Sequence, residues 1–149
     1  MKHVLVDANV LVSFLTDRNP AQRERAEALL RKAAAQEHNV VLHSMSIVEM
    51  IYVLTAVYRE DPADVAQDLV ELLAMPGVIS EDNMSWSSVL ERWPETIPAL
   101  GDAILAAEAS RGRYDAVATF DRDLAKKLVR QGSTVYWPSS VLRALRKDE

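Results

Sequence analysis

Cysteine is absent from this chain. Disulfides, thiolate metal sites and cysteine nucleophiles are therefore excluded, and the composition suits a reducing compartment such as the cytoplasm. Glycine is scarce, with four in 149 residues, and no Gly-rich phosphate loop of the dinucleotide-binding kind is present. The three histidines show no pairing pattern, which disfavours a metal-free nuclease built on a histidine acid–base pair. Basic residues are outnumbered, 17 against 22 acids, for a net charge of −5. A general nucleic-acid coat needs the opposite balance, because excess Lys and Arg must displace counterions. A local basic rim remains compatible with that charge, and acids gathered around a metal make the formal sum misleading.

Uninterrupted apolar runs of membrane length are also missing. "VVLHSMSIVEMIYVLTAVY" comes nearest, but Glu49 stands near its middle at a cost of roughly a few kcal/mol in a bilayer, and His43 adds to the objection. The N-terminus mimics a signal peptide until Asp7 and Asn9 interrupt it, and no small-residue cleavage site follows. The expectation is a soluble, cytoplasmic protein with no membrane partner.

What is present is a chain 49% hydrophobic, enough for one compact domain over residues 1–149 with a sizeable core. Only the closing "RKDE" has the polarity of a tail. The hydrophobic pattern predicts a strand at 3–7, a helix at 8–16, and a helix from Pro20 to about Gln36 whose apolar stripe includes Ala26, Leu29, Leu30 and Ala33. A buried strand at 39–43 and a helix from Ser46 to about Tyr58 follow. "EDPADVAQDLVELLAMPG" is a capped helix, "GVIS" a weak strand and "MSWSSVLERW" a helix. Gly101-Asp102 opens a helix through Ala109, "DAVATF" is a strand, "DRDLAKKLVRQG" a helix, "STVYW" a last strand, and Pro138 precedes a short basic helix. Strands alternate with helices and are apolar on both faces. That is the pattern of an α/β/α fold with a central, mostly parallel sheet flanked by helices.

Four acids fall at element boundaries. Asp7 ends the first strand, Glu49 lies in the first turn of the helix after the second, Asp102 opens the small-residue helix, and Asp121 follows "AVATF". In a parallel sheet the carboxyl ends of the strands share one edge, and ligand sites collect there. Each acid also has a purely structural reading: an Asx-turn at Asp7, a Ser46/Glu49 capping box, N-caps at Asp102 and Asp121. Four caps need not share one edge, however, and Glu49 stands among Val48, Met50, Ile51 and Val53, where an unpaired carboxylate is costly. Clustered carboxylates stay ionised only when a cation balances them. Oxygen-only ligands favour Mg²⁺, with Mn²⁺ as the alternative, over zinc, and the chemistry implied is metal-assisted phosphodiester hydrolysis.

In order, "VLVDANVLV", "SIVEMIYVL", "GDAILAAEA" and "VATFDRDLAK" resemble the PIN-domain nucleases, and most closely the VapC-type ribonuclease toxins of toxin–antitoxin pairs. The resemblance spans nearly the whole chain. It implies a PIN-like fold and an endoribonuclease in which Asp7, Glu49, Asp102 and Asp121 are the metal-binding and catalytic acids. It also implies supporting roles for Asn9 and Thr119, an RNA substrate, a homodimer and a cognate antitoxin that inserts a segment near the site. Asp123 is a further supporting candidate, although an exposed acid in the first turn of a helix also simply suits the helix dipole.

His3 should lie at the opposite sheet edge from Asp7, while His43, ending the second strand, is placed to approach the site. Trp86, Trp93 and Trp137 are candidates for base stacking, with core or interface packing as the plainer reading. Arg18, Arg111, Arg113, Arg122, Lys126 and Lys127 are candidates for a phosphate-contacting rim. Two other classes compete with the nuclease. A haloacid-dehalogenase-like phosphohydrolase wants a second acid two residues after its first, where this chain has Asn9. A non-catalytic α/β protein-binding module would use its acids only as caps.

Overall fold

The computed structural model describes residues 2–145; Met1 and the polar stretch 146–149 lie outside the described residues. Strand β1 (Lys2–Val6) leads into α1 (Ala8–Leu15) and α2 (Pro20–Ala34), and β2 (His38–His43) into α3 (Ser44–Tyr52), which widens into a π-helical turn at Val53–Val57. Next come α4 (Pro62–Leu73), β3 (Val78–Glu81), α5 (Trp86–Leu90), α6 (Leu100–Ser110), β4 (Ala116–Ala118), α7 (Arg122–Arg130) and α8 (Ser139–Ala144).

The four strands form one parallel sheet in the order β3-β2-β1-β4. Alternation along the strands explains its two faces. Val4, Val6, Val40, Leu42 and Ala118 point into a core shared with α1, α2, Met50 and Leu54, and with α4. Leu5, Val41 and Val117 point the other way, against Val89, Ile97, α6, Leu124 and Leu128. Helices thus cover both faces, as strands apolar on both sides require. In α6 the packed residues are small, with Ala103, Ala106 and Ala107 all inaccessible, so the helix axis can lie close to the sheet.

Local chemistry sets the boundaries. Asn19 accepts from the Gln22 N–H and Pro20 occupies the first turn of α2, while Asp61 and Pro62 repeat the device in α4. The stripe Ala26, Leu29, Leu30 and Ala33 is the buried face of α2, as its spacing predicts. Gly77 (φ +80°) brings the chain so close to α2 that a Cβ there would stand 2.5 Å from the Ala33 carbonyl oxygen, so no other residue fits before β3.

Several boundaries differ from those expected. β1 stops at Val6, and the Asp7 N–H closes the ladder on the Ala118 carbonyl. α3 begins at Ser44, two residues early, because the His43 ring caps it by accepting from the Met45 N–H. Glu49 consequently sits in the second turn, and the Ser46/Glu49 capping box does not form. α5 covers only part of "MSWSSVLERW". "STVYW" is not a strand: with β4 only three residues long, Val117 alone offers an N–H and a C=O to that side, giving a single parallel bridge to Val135. Among the described residues no helix is long and apolar enough to cross a membrane.

Candidate active site

β2 and β3 step away from β1 on one side, with their connecting helices on one sheet face. β4 lies on the other side of β1 and is reached through α5 and α6 on the opposite face. The direction of winding therefore reverses between β1 and β4. Past the carboxyl ends of these two strands the connections diverge and leave a crevice, the position at which open α/β sheets bind ligands. Asp7 emerges from β1 into that crevice, and Thr119 and Asp121 emerge from β4.

Asp7 is almost wholly buried, at 4% exposure. It occupies the N-cap position of α1, yet its side chain makes no capping bond there. Instead, its Oδ2 accepts from the Thr119 hydroxyl at 2.7 Å. Burial pushes the Asp7 carboxyl up to about 7, the charges of Asp102 and Glu49 push the same way, and Thr119 partly offsets them.

α6 starts at Leu100, so Asp102 lies in its first turn and caps nothing. Burial raises its carboxyl to about 6, with the neighbouring charges of Asp121 and Glu49 adding to the shift and Lys127 opposing it. Glu49, on α3, is exposed as a residue, but its carboxylate rests against α6: Oε2 and Oε1 lie 3.3 and 3.4 Å from where a Cβ on Gly101 would be. Partial burial raises this carboxyl too. Asp121 alone among the four serves its helix, with Oδ1 accepting from the N–H groups of Asp123 and Leu124.

Asp102 is therefore the electrostatic hub, coupled to Glu49 and Asp121 and, through its effect on the buried carboxyl, to Asp7. None of the four acids forms an ion pair among the described residues. These acids thus share one field of negative charge that Lys127 offsets only in part. As the side chains stand, no group of three or more His, Asp or Glu residues among the described ones closes tightly enough to grip a bare ion. The donor set still fits a divalent cation: every donor is an oxygen, the charge is unbalanced, and a small hard ion such as Mg²⁺ keeps several waters and takes only one or two carboxylates directly.

Asn9 and Thr119 knit the first turn of α1 to the segment that leaves β4. The Asn9 Oδ1 accepts from the Phe120 N–H at 3.1 Å, and its Nδ2 approaches the Thr119 hydroxyl at 3.4 Å. That hydroxyl also accepts from the Asp121 N–H at 3.0 Å. Asp123 is exposed, and only its backbone touches the set. Several other candidates separate from the site. His3 lies at the far sheet edge, where its N–H donates to Asp115. His43 is buried, with Nδ1 on the Met45 N–H and Nε2 donating to the Asn83 carbonyl, so it braces α3. Sequence reasoning missed that cap because histidine is not among the usual N-cap residues. Trp137 is stacked on Phe120 in the core, Trp93 donates to the Pro98 carbonyl, and Trp86 is exposed. Arg18 is spent on Ser13 and the Asn9 carbonyl, and Arg111 on Glu108.

Compared with known proteins, the chain matches a family model described as the PIN domain over residues 4–128. No curated protein matches it.

Proposed function

The chain belongs to the PIN domain family, and from that premise we propose that it is a Mg²⁺-dependent endoribonuclease, the toxin of a toxin–antitoxin pair acting in the cytoplasm. PIN domains are generally nucleases and typically use divalent metal ions. The observation that supports the finer reading is the shared electrostatic field of Asp7, Glu49, Asp102 and Asp121 beside the β1/β4 crevice, where none of the four forms an ion pair among the described residues.

In this reading the four acids would hold the hydrated ion, one or two of them directly and the others through its waters, and the ion when bound would supply electrostatic stabilisation of the phosphate and activation of the attacking water. The chain's residues do the rest. Thr119 fixes the Asp7 carboxylate and, through the Asp121 N–H, the start of α7. Asp121 commits Oδ1 to its helix. Hydrolysis joins a water oxygen to phosphorus and breaks the bond to the leaving ribose oxygen. One proton is lost from the water and one is gained by the leaving oxygen.

A homodimer and a cognate antitoxin belong to the same proposal. Val48 and Tyr52, 57% and 64% exposed, flank Glu49 on α3, and an apolar surface beside a charged site suits a protein partner.

The test is cleavage of RNA with and without Mg²⁺, repeated with Mn²⁺ and with folded Asp7→Asn and Asp102→Asn variants. Loss of cleavage by two or more orders of magnitude in the variants is expected. Undiminished cleavage in either variant, or cleavage indifferent to metal removal, overturns the proposal.

A further inference from the structure

The protein carries net negative charge, yet α7 concentrates cations: Arg122, Lys126, Lys127 and Arg130 lie on nine residues. None of the four forms an ion pair among the described residues. The buried stripe of α7 is Leu124, Ala125 and Leu128, which turns Lys127 and Arg130, one turn apart, toward a neighbouring groove. That groove, of about 430 Å³, runs between α7 and the segment following α5; three cations, Arg92, Lys127 and Arg130, line it against one acid, Glu91, together with Thr96, Ile97 and Gln131.

Its far wall is prepared in advance. The Arg92 guanidinium is held by the Gln131 side chain at 3.2 Å and by the Ser88 carbonyl at 2.8 Å, and Gln131 is itself anchored on the Ala106 carbonyl. Its Nη1 also donates to the Ser88 hydroxyl at 3.2 Å, so an arginine fixed this way holds its positive charge in place at little further entropic cost, with Nη2 left for a ligand. Its ion pair to Glu91 is long, 3.8 Å, and the Glu91 side chain is 73% exposed, so solvent screens that competitor. At the other end, α7 itself opens on Asp121, and Lys127 stands between that acid and Arg130 along the helix. The groove thus leads away from the acid cluster along α7.

We propose that this groove binds the phosphodiester backbone of a single-stranded nucleic acid flanking the cleaved bond, with Lys127 next to the acid cluster and Arg130 and Arg92 farther along. The inference rests on the nuclease reading above and adds where the strand runs. Attraction along the groove offsets the repulsion that the acid cluster exerts on a polyanion, so an acidic protein can still hold one. Lys126, on the same helix but exposed and outside the groove, contributes little.

The experiment measures binding of a short fluorescein-labelled single-stranded RNA, and of the DNA of the same sequence, by anisotropy across a KCl series without divalent ion. Binding is then independent of cleavage. Arg130→Gln and Lys127→Gln are each expected to weaken binding several-fold at low salt. Each should flatten the log–log salt dependence by about 0.7, the slope of one single-strand phosphate contact. Arg92→Lys keeps the charge but loses the anchoring on Gln131 and Ser88 and should weaken binding with little change in slope; Lys126→Gln should bind as the parent does. RNA and DNA bound alike identify the backbone as the ligand, and preference for RNA adds the 2′-hydroxyl. Equal loss from Lys126→Gln and Arg130→Gln would mean diffuse charge and overturn the groove. Poly-glutamate that binds with the same variant dependence while neither nucleic acid binds would overturn it in favour of an acidic protein segment. If Arg130→Gln and Lys127→Gln bind normally while Asp7→Asn abolishes cleavage, the groove fails and the nuclease stands. If the parent protein neither binds nor cuts nucleic acid, both fail.

Discussion

The Thr119 hydroxyl donates to Asp7 Oδ2 at 2.7 Å and accepts from the Asp121 N–H at 3.0 Å, so one buried oxygen ties the acid at the end of β1 to the acid that opens α7. A hydrogen bond to a charged group contributes about 1.5–3 kcal/mol, and this one favours the ionised carboxyl. Thr119→Val, close to isosteric, is expected to raise the Asp7 pKa by about one unit and to weaken Mg²⁺ binding. In a pH profile of metal-dependent cleavage the acidic limb should move toward alkaline pH by that amount. Thr119→Ser, which keeps the hydroxyl, should restore it. A Thr119→Val profile superimposable on the parent's would remove Thr119 from any role at the site.

Asp7 predicts an opposition between stability and function. Its carboxyl rises from 3.8 to about 7 on folding, so the folded protein binds this proton more tightly than the unfolded chain does. The resulting stabilisation is full below pH 3.8 and is lost as pH rises through about 7. At roughly 1.4 kcal/mol per unit, the metal-free protein should carry a penalty on the order of 4 kcal/mol above that range. Asp7→Asn removes it. Thermal unfolding in EDTA should show the variant melting roughly 5 °C or more above the parent above neutral pH, with the two curves converging in acid. Added Mg²⁺ should raise the melting temperature of the parent and not of the variant.

The architecture was legible in the sequence where the physics is local and repetitive. The α2 stripe of Ala26, Leu29, Leu30 and Ala33 is set by helical spacing, and β1 and β2 by apolar runs that only a doubly covered sheet accommodates. Topology then delivers the gathering of acids, because strands running one way place their following residues on one edge. Boundaries were less legible. The start of α3 depends on a histidine ring used as a cap, and "STVYW" fails as a strand because its partner β4 offers only one residue for pairing. The strength of coupling among the acids was hidden too, since burial at Asp7 and the lean of Glu49 on Gly101 are set by packing between helices distant in sequence.

His43 gives a prediction that separates its two ring nitrogens. Nδ1 accepts from the Met45 N–H at 3.1 Å, and Nε2 donates to the Asn83 carbonyl, so the neutral ring with its proton on Nε2 fits both contacts. His43→Asn keeps an acceptor near the Nδ1 position and should retain the cap. His43→Gln reaches the Asn83 carbonyl but loses the cap, at about 1 kcal/mol. Amide exchange in the first turn of α3 should therefore accelerate more in His43→Gln than in His43→Asn. The reverse order would mean that the Asn83 contact, not the cap, holds this junction.

Gly101 lies within α6 with no need for a left-handed backbone, and alanine in its place would gain roughly 0.5–1 kcal/mol from helix propensity. A Cβ there would meet Glu49 Oε2 at 3.3 Å and Oε1 at 3.4 Å. Those atoms end a flexible, exposed side chain, which can yield by a few tenths of an ångström, so the contact should cost less than the helix gains. Glu49 would be pushed away from Asp102, however, and the shared field of the two acids weakened. Gly101→Ala is thus expected to unfold at a higher denaturant concentration than the parent while binding Mg²⁺ several-fold more weakly and cleaving more slowly at limiting metal. Saturating Mg²⁺ should recover much of the rate. If the variant were both more stable and equally tight for the metal, Glu49 would not need its place beside α6, and the site would reduce to the three aspartates.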